Sequence, residues 1–262
     1  MNKAALLIAL IMFLIGLLSP YIAPYDPEDF SFDSLMPPDE EHILGTNSLG
    51  QDLFSQLLYG FRFSTIIALV SAFISTFIGT VLAMLCSYYG GWVEAFIMKL
   101  TDFFLIIPEI IVIMLFSVFA GPGLYNIIAA IALFSWSKVT RILRTKSNLA
   151  IKDEGAQYTL LLKGNLADVM RKIWPQIYPA AATMFVLQCS KAILYEANLS
   201  FLGIGDPTVK SWGRLIRQAM DYEGLFFEGA YLWWLLPPIA CIVIFVGAMS
   251  LISFDMNKET IR

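Results

Sequence analysis

The chain has 262 residues, of which 58% are hydrophobic and 15% charged, and its mean hydropathy is +0.71. This composition excludes an ordinary soluble domain, because so much apolar surface needs lipid as its solvent. A net charge of −4 and a pI near 5.0 argue against a nucleic-acid partner, which would require a basic surface. The three cysteines lie far apart inside apolar runs, so neither a disulfide nor a metal cluster is predicted.

Long apolar runs along the chain predict an all-α polytopic membrane protein with six transmembrane helices. Residues 1–19 form the first helix, and residues 20–61 form an extracytoplasmic loop that contains acidic side chains and no Lys or Arg. Residues 62–254 form a five-helix core, and residues 255–262 form a cytoplasmic tail. The core helices are expected at about 62–88, 93–119, 124–137, 179–199 and 230–254.

The distribution of basic residues predicts which loops face the cytoplasm. The loop 138–175 contains eight of the 17 Lys and Arg residues, and such loops stay on the cytoplasmic side during insertion. Both termini are then cytoplasmic as well, and the mixed polar loop 200–228 lies outside. Residues 51–60, at the end of the first outer loop, are interpreted as an amphipathic helix at the membrane surface.

The middle of the basic loop, at about residues 153–169, is expected to form a short helix. Its apolar side would consist of Tyr158, Leu161, Leu162 and Leu166. A cytoplasmic helix with an exposed apolar side indicates a protein partner. We therefore interpret this loop as the element that receives force from a motor outside the chain.

Polar residues inside the predicted spans are candidates for a transport route, because their burial in lipid is costly. Glu109 directly follows Pro108 in the third span, and it either lines a water-filled path or pairs with a cation from another helix. Lys99 and Asp102, three residues apart, are expected to pair with each other. Glu196 in the fifth span is a candidate for pairing with a partner helix.

The fifth span also contains a polar stripe at spacings of three and four residues. Such a stripe either lines a route or packs against another helix through hydrogen bonds. With Glu109, the predicted translocation path consists of Met184, Gln188, Lys191, Tyr195 and Asn198.

Catalytic sequence motifs are missing from the chain. There is no GxxxxGK[ST], HExxH or GxSxG pattern, so no catalytic or metal-binding residue is predicted. The single histidine, His42, is expected to be a hydrogen-bonded loop residue. A membrane-embedded enzyme is therefore disfavoured.

Three stretches carry a family resemblance. Residues 42–52, HILGTNSLGQD, resemble the signature HPLGTDxxGRD, and residues 199–205, LSFLGIG, with the SWG at 211–213, resemble LSFLGLG and SWG. Residues 90–108 resemble the same family's entry into its third helix. The family is that of the inner-membrane permeases of dipeptide, oligopeptide and nickel ABC importers, whose fold is the MetI-like fold of type I importers.

The resemblance implies a subunit that forms, with a second homologous permease, a path for peptides, nickel or metal chelates across the bacterial inner membrane. Two ATPase subunits would bind ATP and Mg²⁺, so no cofactor is expected in this chain. An extracytoplasmic binding protein would deliver the solute. An ion-coupled secondary transporter that works without an ATPase is the alternative, with Glu109 as its coupling acid.

The resemblance further implies an EAA motif in the basic loop, followed by Gly and later Pro, on a coupling helix that docks on the ATPase. Counted back from Pro175, the Glu-Ala-Ala positions begin at Ala156, whereas Glu154 lies two residues early, and the Gly position falls on Leu162. The expected coupling residues are Glu154, Gly155, Ala156, Gln157, Tyr158, Leu161, Leu162 and Gly164.

Overall fold

A computed structural model describes residues 3–261, and the side chains of residues 3–258. Within these residues the regular structure is helical, which confirms the predicted all-α fold. The helices are α1 (Lys3–Ile22), α2 (Leu53–Tyr89), α3 (Gly91–Ile106), α4 (Glu109–Ala120), α5 (Leu124–Ala150), α6 (Glu154–Leu161), α7 (Leu166–Phe201), α8 (Trp212–Met220) and α9 (Leu236–Ile261).

The helix lengths agree with a protein that crosses the membrane repeatedly. In the part of the chain that the structure describes, α1, α2, α5, α7 and the α9 segment are each long and apolar enough to span a membrane. A sixth span exists if α3 and α4, which are bent by 86° relative to each other, are counted together. The predicted number of six therefore holds with one broken span.

The break between α3 and α4 follows from Pro108. Proline disfavours the helical conformation in the residue before it, and Ile107 is extended with φ −83° and ψ 133°. Pro108 also has no backbone N–H to donate to the preceding helical turn. The single helix expected at 93–119 is thus two helices, and Glu109 is the first residue of the second one.

Helix α2 begins earlier than predicted. α2 starts at Leu53, nine residues before the expected start at 62, because the Asp52 carboxylate caps it by accepting a hydrogen bond from the Ser55 amide at 2.7 Å. Residues 53–60 are therefore the first turns of α2, and most of them are buried. They do not form a separate helix at the membrane surface.

The basic segment 138–175 is mostly helical rather than a loop. α5 continues to Ala150, 13 residues past its expected end at 137, and α7 begins at Leu166, 13 residues before its expected start at 179. The hydropathy pattern did not predict these helical extensions. Lys and Arg end an apolar run, but they are good helix formers and do not end the helix. Only residues 151–165 connect the two helices, and they contain α6.

The centre of the bundle is formed by α2, α5 and α7, with α1 and α9 packed around them. Small residues allow close approach between these helices. At Gly79 of α2, an added Cβ would lie 2.6 Å from the Cβ of Val139 in α5. We call the end of the bundle that carries residues 23–52 and 202–235 the loop end, and the opposite end the α6 end.

Candidate functional site

An ion pair joins two helices in the interior of the bundle. The Lys191 ammonium of α7 contacts the Glu109 carboxylate of α4, and the Ser135 hydroxyl of α5 donates to the other Glu109 oxygen. The Lys191 and Glu109 side chains are 24% and 17% exposed, so solvent or lipid reaches only part of the pair. Because Pro108 breaks the span, Glu109 lies at a helix N-terminus, where the dipole favours a negative charge.

The same network includes two more residues of the predicted stripe. Gln188 donates from Nε2 to the Ser135 carbonyl oxygen at 2.7 Å, which ties α7 to α5. The Lys191 ammonium lies 5.3 Å from the centroid of the Tyr195 ring, a distance at which a cation is attracted to an aromatic face. Glu109, Gln188, Lys191 and Tyr195 are therefore brought together.

The two ends of the stripe lie outside this network. Met184 is buried in an apolar cluster with Val139 and Leu143, and Asn198 is exposed and donates to the Leu194 carbonyl of its own helix at 2.6 Å. Glu109 itself borders a cavity of about 220 Å³ lined mainly by aromatic and aliphatic side chains. The carboxylate thus has a cation from another helix as its partner, and the Glu109 side chain borders a mainly apolar cavity.

A second group of charges attaches α3 to α5 nearer the α6 end. Asp102 pairs with Arg141 of α5, and not with Lys99 as its spacing had suggested. Glu94 accepts hydrogen bonds from Arg144 Nε at 2.6 Å and from Asn148 Nδ2 at 3.1 Å. Asp102 and Glu94 therefore pair with residues of α5. Spacing within α3 could not predict these partners, because they lie on a different helix.

Glu196 was expected to pair with a partner helix, and its buried carboxylate interacts with the Ser64 hydroxyl of α2 and the Ser211 hydroxyl before α8 as well as with its own helix. Its carboxylate accepts a hydrogen bond from the Ser200 hydroxyl, four residues later, at 2.6 Å. The Ser211 hydroxyl lies 3.4 Å from that of Ser200, and Ser64 of α2 accepts from the Trp212 amide at 3.2 Å. This polar cluster joins α7, α2 and the start of α8, and the spacing of Glu196 and Ser200 was the only sequence signal for it.

Helix α6 is attached to the bundle by one face. Ala156 is buried in a cluster with Ile173 and Ile177 of α7 and Met84 of α2. Asp153 caps the helix through the Gly155 amide at 3.3 Å, and the Gln157 side chain donates to the Ile151 carbonyl at 2.7 Å. Glu154 is exposed in the first turn.

The other face of α6 is apolar and uncovered. Tyr158, Leu161 and Leu162 are 64%, 80% and 66% exposed. The helix ends where Lys163 takes a left-handed conformation with φ +57°. Gly164 follows in close contact, because a Cβ there would lie 2.6 Å from Thr159 Cγ2. Leu166, which was expected on this helix, begins α7.

His42 is a hydrogen-bonded loop residue, as its sequence context predicted. It is buried, and its Nδ1 lies 2.9 Å from the Asp52 carboxylate. The rings of Tyr25 and Phe32 pack against it, with centroid distances of 5.0 and 4.6 Å. Within residues 3–258, no group of three or more His, Cys, Asp and Glu side chains is arranged to hold a metal ion.

Comparison with known proteins places this architecture in a family. Residues 75–258, from the middle of α2 into α9, match the family described as "Binding-protein-dependent transport system inner membrane component". The matched segment includes α6, the Glu109–Lys191 pair and the whole of α7.

Individual relatives agree with the family match. The chain is 31% identical over 220 residues to the glutathione transport system permease protein GsiD of Pectobacterium atrosepticum, an alignment that covers 82% of this chain and 73% of that protein. The GsiD proteins of Escherichia coli and Shigella boydii are 31% identical over 224 residues, or 84% of this chain and 74% of theirs. The chain therefore belongs to the family of binding-protein-dependent transport system inner membrane components and is a multi-pass permease of the dipeptide and oligopeptide ABC importer type.

Proposed function

We propose that this permease forms, with a second homologous permease, the path by which a peptide-like solute enters the cell, and that two ATPase subunits drive it by docking on α6. The exposed apolar face of Tyr158, Leu161 and Leu162 carries this proposal. A soluble partner that covered these side chains would gain about 1.5–3 kcal/mol for each one fully removed from water. Family membership favours this mechanism over an ion-coupled transporter that works alone.

The attachment of α6 explains how docking would reach the membrane. Ala156 packs on Ile173 and Ile177 of α7 and on Met84 of α2, so a displacement of α6 pushes on both long helices. Close-packed interfaces of this kind transmit movement because they resist compression. Work is transmitted only if ATPase docking differs in free energy between the inward- and outward-facing states.

The proposal includes a division of chemistry between subunits. ATP and Mg²⁺ belong to the ATPase subunits, and this chain carries no cofactor. The α6 end and both termini lie in the cytoplasm, which the concentration of Lys and Arg in residues 138–175 supports. The loop end then faces the extracytoplasmic binding protein that delivers the solute.

The class of solute is supported by the names of the relatives. They are glutathione transport system permeases, so a peptide-like solute is the natural choice for this chain. Nickel and metal chelates, which the wider family resemblance had also suggested, receive no such support and stay a prediction.

The route through the bundle is proposed to pass the network centred on Glu109 and Lys191. Both side chains are partly exposed, and Glu109 borders a cavity. Gln188 and Tyr195 would present polar atoms beside them, with Met184 toward the α6 end and Asn198 toward the loop end. A path lined by paired charges binds a polar solute weakly enough to release it.

The docking proposal is tested by placing charge on the uncovered face of α6. We expect Leu161→Asp and Leu162→Asp to weaken ATPase binding by at least about tenfold, since loss of a central apolar anchor costs about 2 kcal/mol or more. Copurification of the ATPase subunits from membranes and uptake of radiolabelled glutathione into vesicles are the measurements.

Leu49→Asp is the matched control, because Leu49 is similarly exposed, at 55%, but lies at the loop end. This variant should retain the ATPase subunits. Normal ATPase copurification and normal uptake in both α6 variants would contradict the docking proposal.

A further inference from the structure

The loop end contains few basic side chains. Residues 23–52 contain none, and residues 202–235 contain Lys210, Arg214 and Arg217. Lys and Arg are disfavoured on the side of the membrane to which the proposed function assigns this end. Basic residues at this end oppose the charge distribution that sets the orientation in the membrane. Each of them is therefore expected to have a structural or functional role.

Lys210 has a structural reason. Its side chain is only 6% exposed, and its ammonium lies 3.8 Å from the Glu28 carboxylate, which links the two long loops of this end. Burial, together with the nearby Arg214 cation, lowers the pKa of Lys210 below its ordinary value. Lys210 is therefore already engaged in holding the loops together.

Arg214 and Arg217 are less buried than Lys210. They lie three residues apart on α8 and line a cavity of about 310 Å³ between that helix and the turn that follows α7. A volume of this size is within the range of small-ligand sites. The cavity is also lined by Ser200, Asp206, Gln218 and Asp221.

The two guanidinium groups use few of their donors. Arg214 donates from Nη1 to the Val209 carbonyl at 3.5 Å, and Arg217 donates from Nε to the Asp221 carboxylate at 3.4 Å. Both distances are at the long limit for a hydrogen bond. Each guanidinium has five N–H donors, so most of them remain available to a ligand.

Asp206 and Arg214 stabilise each other's charge, but among the described residues they do not approach within salt-bridge distance. Asp206 accepts from the Thr208 amide at 2.8 Å, from the Thr208 hydroxyl at 2.6 Å and from the Leu124 amide at 3.2 Å. Partial burial acts to raise the pKa of Asp206, but these hydrogen bonds and the Arg214 cation lower it overall, so its oxygens are already occupied by donors of this chain.

The turn after α7 is shaped around Arg217. Gly203 has φ +77°, and a Cβ at this position would lie 1.4 Å from Arg217 Nη1. The left-handed φ favours glycine at this position, and the end of the Arg217 side chain lies directly against it. The cavity is therefore built by both segments.

We propose that this cavity is a carboxylate-binding site in which Arg214 and Arg217 are the charged donors. The carboxylate is carried either by the peptide-like solute or by an acidic side chain of the protein that delivers it. Paired guanidinium groups suit this ligand, because they offer parallel N–H donors that match its two oxygens. The solute arm of this proposal rests on the proposed function.

Solute binding is tested on the assembled transporter in lipid nanodiscs, without nucleotide and without the binding protein. Calorimetric titration with glutathione should show binding, and glutathione diethyl ester, in which both carboxylates are blocked, should bind at least about tenfold more weakly. Arg214→Gln and Arg217→Gln should each weaken glutathione binding by a similar factor. Arg214→Lys keeps the positive charge but loses the planar guanidinium. Its affinity for glutathione should lie between that of the glutamine variants and that of the unmodified protein.

The second arm measures docking of the ligand-free binding protein to the same nanodiscs. If the carboxylate belongs to that protein, glutathione alone does not bind, and docking weakens about tenfold in the two arginine-to-glutamine variants. Arg62→Gln is the matched control, since Arg62 is exposed but lines a different cavity beside α1. It should leave both affinities unchanged.

The proposal is overturned if the double variant Arg214→Gln/Arg217→Gln keeps both affinities, or if Arg62→Gln reduces them equally. Copurification of the ATPase subunits is recorded for every variant as a check on folding and assembly. ATPase copurification depends on α6 and not on Arg214 or Arg217. If the carboxylate-site proposal is wrong, the ATPase subunits still copurify, whereas they do not if the proposed docking function is wrong.

Discussion

The loop end and the α6 end of the bundle are stabilised in different ways. At the loop end the chain buries polar side chains that bond to one another: His42 with Asp52, and Gln51 with Asn47 and Gln56. At the α6 end a single short helix is attached through Ala156, and its opposite face is left apolar and uncovered. The comparison teaches that hydrogen bonds within the chain hold the loop end, whereas the α6 end presents an apolar face that the described residues do not cover.

Hydrogen bonds join these side chains, although Gln51 Nε2 and Gln56 Oε1 are buried without a partner among the described residues. The Asn47 side chain accepts from the Leu49 and Gln51 amides and donates to the Gln51 side chain, all at 2.9 Å. Gln56 of α2 donates to the same Gln51 oxygen at 2.7 Å. Removing one member of such a network leaves buried groups without partners, which is costly.

The largest effect is expected at Asp52. Asp52→Ala removes the cap of α2 and the partner of His42, and should lower the free energy of unfolding by about 3 kcal/mol. Titration with sodium dodecyl sulfate in mixed micelles measures the change. Asp33→Ala is the control, because Asp33 is an exposed acid in the same loop. Equal destabilisation by both substitutions would remove the contrast between the two ends.

Glu109, between the two ends, should respond in transport more than in stability. Glu109→Gln keeps the shape of the side chain but removes its charge, which leaves Lys191 without a counter-charge. Uptake should fall by about tenfold, as expected when a charge-assisted hydrogen bond of about 1.5 kcal/mol is lost.

The double variant Glu109→Gln/Lys191→Met removes the uncompensated cation. If the Glu109–Lys191 pair lines the route, this double variant should be more stable than Glu109→Gln in the micelle titration. Its uptake should stay as low as that of Glu109→Gln. Unchanged uptake in Glu109→Gln would favour a packing role for Glu109.

A smaller gain is expected at the end of α6. Lys163 has φ +57°, a conformation that costs a residue with a side chain about 1 kcal/mol relative to glycine. Lys163→Gly should therefore stabilise α6 by about 1 kcal/mol and slow hydrogen exchange of its amides. Lys163→Ala keeps the Cβ and should not slow the exchange of these amides. Slower exchange in both variants would show that the effect does not come from the left-handed backbone at residue 163.

The smallest effect on stability is expected on the uncovered face of α6. Leu161→Ser should change the free energy of unfolding of the isolated chain by less than about 0.5 kcal/mol, since Leu161 is 80% exposed. Leu53→Ser at the loop end is the contrast, because Leu53 is only 3% exposed and its loss should cost several times more. Similar costs would mean that the α6 face is already covered in the isolated chain.

Hydropathy and charge were sufficient to predict the helical class, most of the spans and the position of the short helix between α5 and α7. The period of 3.6 residues placed Gln188, Lys191 and Tyr195 on one face, because that relation is local to a helix. Partners across helices were not predictable in this way. Asp102 binds Arg141 because α3 packs against α5, and no spacing within one helix contains that information.

Two features of the fold depended on burial, which hydropathy does not report. Pro108 signalled a break, but the bend of 86° is a property of the arrangement of α3 and α4. Residues 53–60 were interpreted as part of a surface helix because the polar Ser55 and Gln56 lie among apolar side chains. They are buried because the outer loop supplies hydrogen-bond partners, such as the Pro27 carbonyl that accepts from Gln56 at 3.2 Å.

Helix α2 has a mechanical consequence for the whole molecule. Its 37 residues give a length of about 55 Å, nearly twice the thickness of the hydrocarbon layer. Leu53 at its start packs with Trp234 at the loop end, and Met84 near its finish packs beside Ala156 of α6. Helix α2 is continuous over this length. If it tilts as a rigid body by one degree about one end, the other end moves by about 1 Å. A gap of that size forfeits about a quarter to a half of the attraction in a close-packed contact, so a displacement of α2 beside α6 would alter its packing at the loop end.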